Sequence, residues 1–80
     1  MYCITVLKDD AVLDGKVSIK NRYDAEYHFT QYVAAYISDV YTDKNTEISD
    51  IFVTGSNARC IYFDKTTKMK HKINIRINNY

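Results

Sequence analysis

The chain is expected to be a single α+β domain in which one long helix packs across one face of an antiparallel sheet of about five strands, in the order ββαβββ. Three observations lead there. Residues 22–41 contain neither glycine nor proline and place their apolar side chains at helical spacing. Residues 68–78 alternate without a break, as a strand does when one face is buried. Short apolar runs with turn signals between them fill the remainder.

Taken in order, Tyr2–Leu7 reads as the first strand. Tyr2, Ile4 and Val6 share one face and Cys3, Thr5 and Leu7 the other; both faces are partly apolar, which suits an inner strand. Lys8 to Gly15 is the expected connection, closed by an Asp14-Gly15 turn. Val17 and Ile19 then take alternate positions of a second strand. Asn21 is the expected N-cap of the helix, with Asp24 three residues on. Ala25, Phe29, Tyr32, Val33, Tyr36 and Val40 form its core stripe. Thr42 to Glu47 is polar and leaves the helix. Ile51–Thr54 is a third strand, Gly55-Ser56-Asn57 a turn, and Arg59–Phe63 a fourth strand. After a turn at 65–68, the last strand puts Met69, His71, Ile73, Ile75 and Ile77 on its core face. Lys68, Lys70, Lys72, Asn74, Arg76 and Asn78 fall on the other.

Eighty residues hold one core, and residues 1–80 are read as a single domain. A domain this small is marginally stable alone, and self-association or partner binding is a common supplement. The net charge of +1 hides an uneven distribution. Residues 1–52 carry five cations against nine acids, a balance of −4; residues 53–80 carry six cations against one acid, a balance of +5. A basic end on an acidic chain has two readings: an anionic partner, or a solvated sheet face kept charged against edge pairing. Cys3 and Cys60 are the only cysteines. With no secretory leader pattern and no apolar run of membrane-spanning length, a reducing cytoplasm and two buried thiols are expected. A disulfide would require strands one and four to be neighbours.

No catalytic pattern emerges. His28 and His71 stand far apart in no ligand spacing, and a metal site needs three or four converging groups. A Cys60–His71 pair would need an orienting group and an oxyanion site, and neither is signalled. There is no nucleophile elbow, phosphate loop or dinucleotide fingerprint. The expectation is a non-enzymatic protein with no cofactor and no metal.

Two surfaces remain as candidates. At 100° per residue Tyr23, Tyr27, Ala34 and Tyr41 project together, about 130° from the centre of the core stripe. Tyrosine supplies contact area at low entropic cost and is enriched in interface hot spots, so Tyr23, Tyr27 and Tyr41 are a candidate protein-binding face. Alternatively, Tyr23 and Tyr41 merely cover the helix ends. The second surface is Lys68, Lys70, Lys72 and Arg76 on the open side of the last strand, as an anion- or partner-binding row. Phe52, Cys60 and Tyr62 would join it in the simplest register, giving cations beside rings as in single-stranded RNA binders. The aromatic motif of the common RNA-recognition fold is missing, however, and the net charge is low for that class.

The short length, the Lys/Asn/Ile/Tyr-rich composition, and Val17-Ser18-Ile19-Lys20-Asn21 leading into Ala25, Phe29, Val33 and Tyr36 resemble small bacteriophage accessory proteins. Anti-CRISPR and antitoxin-type inhibitors are among them. The resemblance implies a cytoplasmic protein of a bacterial host that binds and blocks a host defence protein or complex. It carries over no functional residue. Inhibitors that imitate DNA are acidic throughout, and this chain's basic end departs from that pattern. A nucleic-acid-binding module and a homodimeric structural protein joined by an open sheet face or edge strand are the alternatives.

Overall fold

The computed structural model describes residues 1–80. Five strands, β1 (Tyr2–Lys8), β2 (Ala11–Ile19), β3 (Thr46–Val53), β4 (Asn57–Asp64) and β5 (Met69–Asn79), form one antiparallel sheet. A single helix, α1 (Arg22–Thr42), separates β2 from β3. The α+β class and the ββαβββ order are as expected. The sheet order is β2-β1-β5-β4-β3, so β5 is central and β2 and β3 are the two edges.

The helix starts where the cap chemistry places it. Asn21 is extended, and its side chain accepts from the Asp24 N–H at 2.8 Å. Ala25, Phe29, Ile37 and Val40 are buried against the sheet, with Tyr32, Val33 and Tyr36 partly so. Ile37 was not expected in the core: it lies off the centre of the stripe, yet is only 4% exposed. The sheet contributes Ile4, Val6, Ile19, Ala58, Cys60, Tyr62, Ile73 and Ile75 to the same core. The helix crosses chiefly β5 and β1, which accounts for the full burial of Val6 and Ile75.

Three segments differ from expectation. The first turn is Asp9-Asp10, not Asp14-Gly15. Both aspartates take positive φ (53° and 68°), a left-handed pair that a short polar side chain tolerates and that matches the hairpin twist. Asp14 and Gly15 lie inside β2, opposite Val6 and Thr5. Polar β2 residues are accommodated because the strand is an edge, with register shifts on either side of this pair. Second, β3 begins at Thr46 rather than Ile51, since an edge strand can carry Glu47, Ser49 and Asp50 outward. Third, Lys68 is not in the last strand. It has φ of 59° in the turn before Met69, and its N–H donates to the Asp64 carbonyl.

The cysteines are separated. β5 lies between β1 and β4, and Cys3 pairs with Asn78 on the open face while Cys60 is buried under the helix. Cys3 is only half-buried, so the expectation of two buried thiols holds for Cys60 alone. No helix is long and apolar enough to cross a membrane.

Candidate functional site

The helix tyrosines stand where sequence spacing puts them. Tyr23, Tyr27 and Tyr41 are 79%, 55% and 74% exposed, on the side of α1 turned from the sheet. Tyr27 is also ordered locally. Its hydroxyl accepts from Gln31 Nε2 at 2.9 Å, and its ring meets His28 edge-on at 5.5 Å.

The basic row is less continuous than its sequence. Ile73 and Ile75 face the helix, so Lys70, Lys72, Asn74 and Arg76 face outward. Asn74 is buried, flanked across the ladder by Leu7 and Arg59. Lys72 Nζ is 3.2 Å from Asp10 Oδ1. Lys68 lies outside the strand. Lys70 and Arg76 are left without an acidic partner, about 20 Å apart at the rise of a strand. The aromatic partners also differ from expectation. Cys60 and Tyr62 pair in register with Ile73 and His71 on the helix side, so the open face carries Arg59, Ile61 and Phe63 instead. Phe52 does share that face. The Arg59 guanidinium lies over its ring at 5.7 Å and bonds Asp50 at 2.9 Å.

Two polar clusters had no signal in the sequence. At the first hairpin, Asp9 Oδ2 lies 2.7 Å from His71 Nδ1, and Asp9 Oδ1 accepts from the Lys72 N–H. These bonds, the histidine's first, hold the Asp9 carboxyl below the usual carboxylate range. His71 thus fastens the β1–β2 turn to β5.

The second cluster covers the β2 edge. The Tyr36 hydroxyl donates to Asp14 Oδ2 at 2.5 Å, Asp14 Oδ1 accepts from the Gly15 N–H at 2.7 Å, and the Tyr32 hydroxyl donates to the Gly15 carbonyl at 3.2 Å. The Tyr36 bond, then the Gly15 bond, lower the Asp14 pKa; the same Tyr36–Asp14 bond raises that of Tyr36. Burial, then the Asp14 charge, raises that of Tyr32. Asp14, Lys16, His28, Gln31, Tyr32 and Tyr36 line a shallow polar groove of about 330 Å³ between helix and edge.

For nucleophilic chemistry the arrangement is poor. Burial, then the charge of Asp50, pushes the Cys60 thiol up, away from the reactive thiolate, and His71 is engaged by Asp9. No protein-family model, curated protein or solved structure matches this chain.

Proposed function

We propose that the chain is a small non-enzymatic binding protein of phage type, which binds and blocks a host defence protein through the outer face of α1. One observation carries the reading: Tyr23, Tyr27 and Tyr41 leave a large amphipathic area uncovered along one side of the helix. Tyrosine side chains of this kind anchor interfaces because they bury much area for two rotatable bonds. Tyr27, held by Gln31 and His28, loses little further freedom on binding.

The test is capture of a partner from bacterial lysate with tagged protein, with and without nuclease, followed by affinity measurement on the recovered protein. A discrete partner that survives nuclease is expected. Tyr27→Ala with Tyr41→Ala should weaken it by about 30-fold or more, the effect of losing one hot-spot side chain of about 2 kcal/mol. Unchanged affinity in the double variant would remove the helix face.

The second reading is single-stranded nucleic-acid binding through Lys70, across the ladder from Phe63, and Arg76, with Phe52 farther out on the same face. It predicts oligonucleotide affinity that falls with salt as counterions are released. The pairing of Lys72 with Asp10 and of Arg59 with Asp50 leaves few cations for phosphates, which favours the helix.

A further inference from the structure

The two sheet edges are not equivalent, and β3 is the one left open. The Thr54 N–H donates to the Asn57 carbonyl at 2.8 Å. Opposed residues of an antiparallel pair alternate between bonded and non-bonded, so Phe52–Arg59 is a bonded pair and Val53–Ala58 and Ile51–Cys60 are not. Ile51 and Val53 therefore turn their N–H and C=O groups outward. No side chain caps them, whereas on β2 the outward groups of Gly15 are taken by Asp14 and Tyr32, and the Ser18 N–H donates to the Tyr80 hydroxyl. The side chains of Ile51, Phe52 and Val53 are 48%, 47% and 50% exposed. Glu47 and the register shift beside Ser49 guard only the first half of the strand.

We propose that the second half of β3 is a docking edge for a second copy of this chain, paired antiparallel about a two-fold axis at Phe52. In that register Phe52 meets its counterpart on the open face. Ile51 meets the partner copy's Val53 on the helix face, and the two exchange their outward backbone bonds. No like charges are opposed, because Asp50 falls opposite Thr54. The row on the open face becomes Arg59, Phe52, then the second copy's phenylalanine and arginine, extending the guanidinium–ring stacking already present. On the helix face, Phe29, Thr30, Val33, Val53, Thr54 and Gly55 line a notch of about 110 Å³. The second copy's isoleucine, opposite Val53, lies beside that notch. Any antiparallel strand would satisfy the outward backbone groups; self-pairing does so while placing apolar side chains opposite apolar ones and no like charges opposite each other. An isologous contact of this kind is also the commonest symmetric assembly.

The consequence is a continuous sheet of two copies with both helices on one side, because antiparallel addition within a sheet preserves its faces. Each dimer presents two tyrosine faces in the same direction. The overlap covers Asp50 to Thr54 only, so the contact falls below the roughly 1,000 Å² of a stable interface and the dimer is weak.

Sedimentation velocity on the full chain, from about 10 μM to about 1 mM, should show a monomer giving way to dimer as concentration rises. Val53→Pro removes an outward N–H that the β3–β4 ladder does not use, and Ile51→Lys places a charge on the shared face. Each should hold the protein monomeric with an unchanged circular dichroism spectrum; if the proline variant misfolds, the lysine variant decides. Phe52→Cys in a Cys3→Ser background should cross-link to covalent dimer under mild oxidation, since a non-bonded pair sets Cβ atoms about 4.5–5.5 Å apart. A chain that stays monomeric throughout, or a dimer indifferent to both β3 substitutions, overturns the assignment.

Discussion

The two edges of this sheet face the same hazard, a row of unpaired backbone groups, and meet it by different means. On β2 the helix supplies the cover: Tyr32 and Tyr36 reach across to Gly15 and Asp14, and Tyr80 takes the Ser18 N–H. The β2 side chains Val12, Leu13 and Val17 are well exposed, yet register shifts interrupt the strand's pairing on either side of Asp14 and Gly15. The second half of β3 has neither device. Edge protection in this fold therefore comes from groups brought in from the helix and the C-terminus, and apolar exposure alone does not identify a docking edge.

The comparison breaks most sharply at Gly15. A Cβ there would lie 2.7 Å from the Ile4 carbonyl oxygen, a backbone atom that cannot swing aside. Gly15→Ala should lower stability by about 1–3 kcal/mol, the usual cost of overpacking, as read from the urea midpoint. Gly55→Ala, beside the β3 edge, meets nothing within 4 Å and is the matched control.

A smaller effect is expected from pH at the β2 edge, with the depressed Asp9 carboxyl of the first hairpin adding to the same acid limb. The folded-state pKa of Asp14 is depressed, so its contribution is present above the ordinary carboxylate value of about 4 and is lost as pH falls through its lowered value. The Tyr36 pKa is raised, so its contribution is complete below about pH 10 and is lost as pH rises through the raised value. Asp14→Asn should flatten both limbs of the stability–pH profile relative to the native chain. Equal limbs in the two proteins would mean that the short Tyr36–Asp14 bond does not hold this edge.

The smallest change belongs to β3. Ile51→Lys should alter monomer stability by no more than about 0.5 kcal/mol, because the side chain is half in solvent and touches no buried polar group. A loss well beyond that would show that Ile51 is part of the monomer core and that both edges are held by the fold.

Much of this was legible beforehand. Helix α1 declared itself through its Asn21 cap, its periodic apolar stripe and its freedom from glycine and proline. The alternation of β5 fixed which isoleucines point inward. The extent of β2 is not legible in the sequence, because Asp14-Gly15 is a strong local turn signal, while the turn adopted, Asp9-Asp10, lacks glycine and depends on contacts to His71 and Lys72 some sixty residues away. The tyrosine face was legible because helical geometry is local. The basic row is shorter in the fold than in the sequence because Lys68 falls in a turn and Lys72 pairs with Asp10, some sixty residues away.

The sequence by itself determined the element order, the inward face of the central strand and the outward tyrosines, since each follows from a period of 3.6 or 2 within one segment. The tertiary structure alone decided the β2-β1-β5-β4-β3 order, the separation of the two cysteines, which cations stay free, and which edge is covered. Those outcomes depend on pairing and hydrogen bonds between residues far apart in the chain, and no local pattern encodes which distant group will arrive.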